Sequence, residues 1–174
     1  MVIGIDLGGM SAKAALLSGN KLEGKSRVVT SAQNTPEQTA LALAELAVQT
    51  AEKAGKSMND VQAIGIGSPG VINSSEGTVV SWTNFNWRDV PLGALVEKYT
   101  GKKTFVLNDA NAAALGEAKF GAGKAYSDSV LITIGTGIGS GIIIGGKLFE
   151  GFRSAGSELG HTIFRMNGGQ CSSG

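Results

Sequence analysis

The chain has 174 residues, of which 42% are hydrophobic and 17% charged, and its 15 basic and 14 acidic side chains leave a formal net charge of +1. This apolar content excludes a disordered chain, and the near-neutral charge without a basic run excludes the electrostatic signature of a nucleic-acid or anionic-membrane binder. No apolar stretch approaches the roughly 20 residues that cross a bilayer, and neither a signal-type leader nor a second cysteine is present, so we expect a cytoplasmic protein without a membrane partner.

The first two thirds of the chain predict a mixed sheet with helices packed against it. Three short strands joined by glycine turns are followed by a helix with a capping box at Thr35 to Gln38, and strands and helices then alternate. That order of elements is typical of an α/β fold. The predicted strands are 2–6, 12–17, 25–29, 63–67 and 104–107, and the predicted helices are 36–54, 91–99 and 110–120.

After a polar break at 121–128 the opening pattern of the chain returns. Residues 130–137 repeat the strand and glycine turn of residues 2–9, and in both places a second apolar strand and a Gly-x-Lys-Leu turn follow. Such an internal repeat predicts two related domains, at 1–122 and 123–174, each opening with a β-hairpin. Chance similarity between two glycine-rich hairpins is the alternative. The second domain reads as incomplete, because the roughly 40 residues that remain are at the lower limit for a self-sufficient core.

Two glycine-rich turns are candidate phosphate sites. Asp6 ends the first predicted strand just before Gly8 and Gly9, where backbone N–H groups can reach a phosphate oxygen and the carboxylate can hold Mg²⁺. A hairpin turn in which the aspartate bonds its own backbone is the alternative. The turn at 135–141 alternates four glycines with other residues. Because glycines between strands lower the stability of the fold, their presence here favours a phosphate loop over an ordinary turn. It is not a dinucleotide fingerprint, since 142–144 continues as a strand where that motif requires a helix.

Two further clusters contain polar side chains suited to catalysis or to metal binding. Asn108 and Asp109 stand where a predicted strand ends and a helix begins, so the carboxylate is placed to accept the proton of an alcohol that attacks a phosphoryl group. A plain helix cap is the alternative. Glu158 and His161 stand three residues apart, and His161, the only histidine, makes half a zinc site with Cys171. Coincidence in the placement of that pair is the alternative.

Two loops at strand ends complete the set of candidate residues. Residues 67–70 and 83–87 read as rigid turns whose amide side chains are suited to bind hydroxyl groups, and Trp87 is suited to pack against a sugar face. A cap or an ordinary surface turn is the alternative for each of them.

In this order, these segments resemble the ROK family, which groups bacterial sugar kinases and sugar-responsive repressors within the actin-like, hexokinase-like ATPase fold. The resemblance covers essentially the whole chain. It rests on Asp-x-Gly-Gly at 6–9, Asn-Asp-Ala-Asn-Ala-Ala-Ala-Leu-Gly-Glu at 108–117, Gly-Thr-Gly-Ile-Gly-Ser-Gly at 135–141, and Glu-x-Gly-His at 158–161 followed by Gly-Gly-x-Cys at 168–171. It implies a ribonuclease H-like α/β domain with a mixed five-stranded sheet and flanking helices, followed by the start of a second, related domain.

The resemblance also implies an activity, the ATP-dependent phosphorylation of a hydroxyl group of glucose or a related hexose or N-acetylhexosamine, with Mg²⁺ as cofactor and a homodimer as the assembly. Asp109 would be the general base. The implied sugar-binding residues are Asn84, Asn108, Asp109, Glu158 and His161. The implied phosphate-binding residues are Gly8, Gly9, Gly135, Thr136 and Gly137. Asp6 would lie near Mg²⁺, and His161 and Cys171 would belong to a zinc site.

Three departures from the family pattern bear on these expectations. Met10 stands where the first phosphate turn of the family usually has threonine, and Ser173 replaces a cysteine ligand of zinc. The chain ends at Gly174, before the family's remaining zinc cysteine, a further sugar-binding glutamate and the region that holds adenosine. We therefore expect an incomplete zinc site and little kinase activity from these 174 residues alone. A non-catalytic sugar-binding fragment and a sugar-responsive transcriptional repressor are the alternatives.

Overall fold

The computed structural model of the chain describes residues 1–135, 137–152, 154–163 and 165–169. It has the predicted α/β architecture. The strands are β1 (Val2–Leu7), β2 (Ser11–Ser18), β3 (Lys21–Val29), β4 (Ala63–Ser68), β5 (Val71–Asn73), β6 (Thr78–Trp82), β7 (Trp87–Val90), β8 (Lys103–Asn108), β9 (Ser129–Ile134), β10 (Ile138–Ile144) and β11 (Lys147–Phe149). The α-helices are α1 (Pro36–Lys53), α2 (Leu92–Thr100) and α3 (Asp109–Phe120). No helix in the described part of the chain has the length and apolar character needed to cross a membrane.

The largest sheet has the strand order β3-β2-β1-β4-β8. β1, β2 and β3 form an antiparallel meander, and β4 pairs in parallel with β1 on one side and β8 on the other. This confirms the predicted mixed five-stranded sheet. β3 begins at Lys21, earlier than predicted, because a register shift between Ala14 and Leu16 keeps the two strands paired through a polar stretch.

The first helix begins as its capping box predicts. The Gln38 N–H donates to Thr35 Oγ1 at 3.2 Å, and the Thr35 N–H donates to Gln38 Oε1 at 2.8 Å. The sequence also predicts an apolar stripe of Leu41, Leu46 and Val48 on this helix; Leu46 is buried as expected, but Leu41 and Val48 are exposed. Leu43 and four alanines join Leu46 on the buried face, because small side chains let the helix lie close to the sheet.

One face of the five-stranded sheet carries the main core, and the other is open. Alternate residues of β1, Ile3, Ile5 and Leu7, are buried together with side chains of α1 and α2. On the opposite face an apolar cavity of about 1300 Å³ lies over β1, β2, β4 and β8. Gly4 and Gly65 pair side by side at its centre, and a Cβ atom at either glycine would meet no atom within 4 Å.

Residues 71–90 form a small sheet, β5-β6-β7, which the sequence did not predict. Trp82 and Phe85 stack with their ring centroids 3.8 Å apart, and Trp87 meets both rings edge-on. The expectation that Trp87 packs against a sugar is wrong, since it is only 4% exposed. Burial of the large indole within this cluster is favourable, and it leaves no ring face for a ligand.

The second meander, β9-β10-β11, packs against α3 through glycines. Gly139 and Gly141 belong to β10, so the turn expected at 135–141 ends before Ile138. A Cβ atom at Gly141 would lie 2.5 Å from the Ala114 Cβ and 2.8 Å from the carbonyl oxygen of Ala110. Half of this glycine run therefore serves the close approach of a helix to a strand, and only the other half remains available for a ligand.

Candidate functional site

A cavity of about 460 Å³ lies between the start of α3, the start of β5 and the first residues of β10. It brings together four of the five predicted sugar-binding residues, which come from two segments about 50 residues apart in the chain. The side chains and backbone that line it belong to Gly70, Val71, Asn108, Asp109, Ala110, Gly139, Ser140, Glu158 and His161.

The start of α3 is fixed by Asn108, which is its N-cap. The Asn108 Oδ1 accepts hydrogen bonds from the N–H groups of Ala110 at 3.0 Å and Asn111 at 3.2 Å. Its Nδ2 donates to the Gly70 carbonyl oxygen at 3.2 Å, which ties the loop after β4 to the helix. The capping alternative is thus confirmed for Asn108, and one N–H of the amide is left to face the cavity.

Asp109 is the first residue of α3 and is exposed at the cavity. Its Oδ1 accepts a hydrogen bond from the Ala110 N–H at 2.9 Å. A Cβ atom at Gly67, at the end of β4, would lie 3.5 Å from the Asp109 Cα, so the helix begins directly beside the parallel strands. The other carboxylate oxygen is therefore presented to solvent at the carboxyl edge of the sheet, where ligands bind in α/β folds.

Glu158 and His161 enter from the far side of the cavity. His161 lies in a short 3-10 turn, Leu159–His161, and its Nε2 is 3.8 Å from Glu158 Oε2. A Cβ atom at Gly160 would overlap the carbonyl oxygen of Ile138, so only glycine lets this turn lie against β10. The Glu-x-Gly-His motif thus places a carboxylate and an imidazole opposite Asp109 because its glycine packs on a strand.

Asn84 does not share this cavity. It is an exposed residue of the 3-10 turn Thr83–Phe85, beside the buried aromatic cluster, and it is not among the residues that line the cavity. Gly70, Gly139 and Ser140 also line the cavity; they stand within the motifs at 67–70 and 135–141 but are not predicted members of the sugar site. Val71 is a lining residue outside every motif, and an apolar side chain at a strand start carries no distinctive sequence signal.

The two glycine turns differ in which backbone donors they leave available. The Gly8 N–H donates to the Ser11 carbonyl at 3.0 Å and the Gly135 N–H to the Gly137 carbonyl at 2.9 Å, so both are used inside their turns. A Cβ atom at Gly9, Gly135 or Gly137 would meet no atom within 4 Å, and none of these glycines has a positive φ. Neither packing nor backbone conformation within the described residues requires glycine there, which leaves space for an approaching ligand. Thr136 lies outside the described residues.

Asp6 ends β1 beside the first of these turns. It lines the large apolar cavity together with Asp109, and among the described residues its carboxylate has no hydrogen-bond or ion-pair partner. Mg²⁺ in phosphoryl-transfer sites is usually held by one or two carboxylates and by the phosphates of the substrate. One unpaired carboxylate beside a glycine turn fits that donor set.

The described residues do not make a zinc site. No group of three or more His, Cys, Asp and Glu side chains suited to a metal ion occurs in the part of the chain that the structure describes. His161 lies beside a carboxylate, and Cys171 and Ser173 fall outside the described residues. We therefore assign no step to zinc.

Comparisons with known proteins identify relatives of this chain. The family model described as "ROK family" matches residues 2–174. A glucokinase from Thermotoga maritima is 39% identical over 99% of this chain and 54% of its own length. A xylose repressor from Caldicellulosiruptor bescii is 38% identical, over 76% of this chain and 33% of its own length.

Solved structures give the same result. The ROK hexokinase of Thermus thermophilus superposes with a TM-score of 0.85 at 37% identity, covering 99% of this chain and 56% of that one. A ROK family glucokinase from Streptomyces griseus, solved with glucose and AMPPNP, gives a TM-score of 0.84 at 38% identity, covering 94% of this chain and 51% of that one. The chain thus spans about half the length of the proteins it matches, and it has the actin-like ATPase fold of these kinases.

Proposed function

Because this chain belongs to the ROK family, we propose that it carries the sugar site and the phosphate-binding turns of an ATP-dependent kinase that phosphorylates a hexose hydroxyl group. The observation that supports this most strongly is the convergence of Asn108, Asp109, Glu158 and His161 on one cavity. Two carboxylates, an imidazole and an amide around a space of about 460 Å³ suit a ligand rich in hydroxyl groups, which both donates and accepts hydrogen bonds.

Asp109 is the proposed general base. Its side chain follows directly on the parallel strand β8, and one oxygen is held by the Ala110 N–H while the other is free to accept a proton from the attacking hydroxyl group. Asn108, fixed by its capping bonds, would orient the sugar from the same helix end. Phosphoryl transfer has a loose transition state, so most of the rate would come from alignment of the acceptor and neutralisation of charge.

The glycine turns are the proposed phosphate contacts. Gly9 and Gly137 have unobstructed backbones, while Gly8 and Gly135 shape the turns through their internal hydrogen bonds. Thr136 is proposed as a hydroxyl donor on its motif alone. Asp6 is the residue that would hold Mg²⁺, which in such reactions neutralises charge on the transferred phosphate.

Glucose is the substrate that we propose first. Both the Thermotoga maritima relative and the Streptomyces griseus structure are glucokinases, and the latter contains glucose. Related hexoses and N-acetylhexosamines are the next candidates. The contacts that discriminate between sugars depend on individual hydroxyl groups, so a panel of sugars is part of the test.

The test is Asp109→Asn in the complete gene product, with ADP release measured in the presence of Mg-ATP and each sugar. We expect phosphorylation to fall by at least about a hundredfold, since a general base contributes 10²–10⁴-fold, while sugar affinity measured by calorimetry changes by only a few-fold. Asp128→Asn is the matched control, because Asp128 is an exposed carboxylate that lines neither cavity. Unchanged turnover in Asp109→Asn would remove the assignment of the base.

A sugar-responsive repressor is the second candidate, on account of the match to a xylose repressor. That protein matches 76% of this chain, whereas the glucokinase matches 99%. A repressor needs sugar binding and DNA binding but no turnover. Sugar-dependent release of DNA by the complete gene product, without ATP hydrolysis, would select this alternative.

A further inference from the structure

A buried hydrogen-bond network adjoins the cavity, and one of its members, Ser140, also lines it. The network contains Asn111 of α3, Ser140 of β10 and Ser157, whose exposed fractions are only 3%, 5% and 5%. These polar side chains come from three separate segments. Burying a polar side chain costs free energy unless it is hydrogen-bonded, and these three belong to one hydrogen-bond network. Asn111 stands in the motif at 108–117 but has no predicted role there, and Ser157 lies outside every motif.

The network joins the helix to the segment that carries Glu158. The Ser157 hydroxyl donates to Asn111 Oδ1 at 3.0 Å. The Ser140 hydroxyl donates to the Ser157 carbonyl oxygen and accepts from the Leu159 N–H, the latter at 3.1 Å. One serine hydroxyl therefore holds the backbone on both sides of Glu158.

The same network connects to Asp109 through α3. Asn111 follows Asp109 by two residues, and its backbone N–H donates to the Asn108 side chain at 3.2 Å. The side chain and the backbone of Asn111 thus tie the 157–159 segment to the helix end that carries the proposed base. A buried hydrogen-bond network of this kind favours one geometry over the alternatives.

We propose that Asn111, Ser140 and Ser157 are positioning residues, which set the placement of Glu158 and His161 relative to Asp109. This inference rests on the proposed function, because it treats that placement as what sugar binding requires. Ser140 and Ser157 act through Glu158 and His161, since their hydroxyl groups are occupied by the network, and Asn111 takes part through its Oδ1, which accepts from Ser157.

The first test compares Ser140→Ala and Ser157→Ala with Ser157→Thr, which keeps the hydroxyl group. We expect glucose affinity, measured by calorimetry, to fall roughly five- to tenfold in the alanine variants, as loss of one or two hydrogen bonds implies. Ser157→Thr should restore most of it. Mg-ATP affinity at the glycine turns should stay unchanged in all three variants.

The matched control is Ser74→Ala. Ser74 also makes a side-chain hydrogen bond to a distant carboxylate, with its hydroxyl 3.0 Å from Glu150 Oε2, but it lies outside the cavity. Glucose affinity should be unchanged in this variant. Parallel losses of sugar and ATP affinity in Ser140→Ala and Ser157→Ala would mean that the network serves stability alone and would overturn the proposal.

A second measurement needs no sugar. Amide hydrogen exchange at residues 159–162 should rise by about fivefold or more in Ser140→Ala, because the 3-10 turn loses its anchor, while exchange in β1 stays the same. If exchange at 159–162 is unchanged, the positioning role is excluded. If the unmodified protein binds no sugar, the proposed function fails, and the exchange result still decides whether the network holds this segment.

Discussion

The two meanders of the molecule, β1-β2-β3 and β9-β10-β11, share a sequence pattern and a strand order but differ in what surrounds them. β1 is flanked by β2 and β4, and Ile5 is only 4% exposed. Among the described residues β9 pairs with β10 alone, and Ile132 is 55% exposed. The same local pattern therefore specifies strand pairing and turns, whereas burial depends on elements far away in the chain.

The meanders also meet their helices differently. α1 packs on the first sheet through leucine and alanine side chains, which builds the main core. α3 packs on β10 through Gly139 and Gly141, which builds little core but brings the helix backbone close to the strand. The second arrangement places Asp109 and Glu158 around one cavity. The first meander thus contributes mainly stability and the second mainly the shape of the site.

The largest expected effect compares one isoleucine from each meander. Ile5→Ala should lower the free energy of unfolding by about 2–5 kcal/mol, because it removes a buried side chain and leaves a cavity. Ile132→Ala should lower it by less than about 1 kcal/mol, because the side chain is half exposed. Urea unfolding of both variants measures the difference. Equal losses of unfolding free energy in the two variants would show that β9 is buried to the same degree as β1.

A glycine substitution tests the helix contact of the second meander. Gly141→Ala should lower stability by about 1–3 kcal/mol, because the added methyl group overlaps Ala114 and the Ala110 carbonyl oxygen. Gly116→Ala is the control, since its Cβ position is open on the surface of α3, and it should raise stability by roughly 0.5–1 kcal/mol. Thermal unfolding reports both, and a neutral Gly141→Ala would mean that α3 is not held against β10.

The first glycine turn is predicted to matter for binding rather than for stability. Gly9→Ala should leave the free energy of unfolding within about 0.5 kcal/mol of the original, because the Cβ position is open and φ is not positive. It should weaken Mg-ATP binding by about tenfold, equivalent to 1.4 kcal/mol, by displacing a phosphate from the turn. Calorimetry measures the loss, with Gly116→Ala again as control. Undiminished Mg-ATP affinity in Gly9→Ala would show that this turn serves the fold and does not bind the nucleotide.

The smallest effect concerns the turn between β10 and β11. The Gly145 N–H donates to Asp128 Oδ1 at 2.7 Å, and the Ser127 hydroxyl donates to Oδ2 at 3.0 Å, which together hold the pKa of Asp128 below its usual range. A lowered folded-state pKa stabilises the turn above the unfolded pKa, and this stabilisation is lost as pH falls through the folded value. The Gly145 amide resonance should therefore shift only at pH below the usual aspartate range. A midpoint of this pH titration within the usual aspartate range would contradict the hydrogen bond from the Gly145 N–H to Asp128.

The sequence predicts those parts of the fold that depend on local patterns. The capping box at Thr35 and the start of α3 are confirmed because their hydrogen bonds span two or three residues, and the meander β1-β2-β3 is confirmed because it pairs strands that are consecutive in the chain. The β5-β6-β7 sheet is missed, since its strands have only three to five residues and its aromatic cluster forms through tertiary contacts. The domain boundary at 122/123 and the homodimer stay predictions.

The residues of the candidate site likewise divide into those that a local motif indicates and those that only tertiary contacts reveal. Asn108, Asp109, Glu158 and His161 are recognisable because carboxylates, amides and imidazoles stand in a motif, and the cavity contains them all. Ser140, Ser157 and Asn111 are not recognisable, because serine and asparagine are common and only burial reveals their role. The sequence also does not show which glycines of 135–141 pack against α3, since it does not distinguish a glycine that contacts a ligand from a glycine that packs under a helix.

The central claim is that a hexose binds at the start of α3, and an NMR titration of the chain with glucose tests it most directly. We expect saturable shifts of the backbone amides of Asp109, Ala110, Ser140 and Leu159 to His161, with little change in β5-β6-β7. Shifts confined to the large open face of the five-stranded sheet, or no saturable shifts with any hexose of the panel, would contradict it.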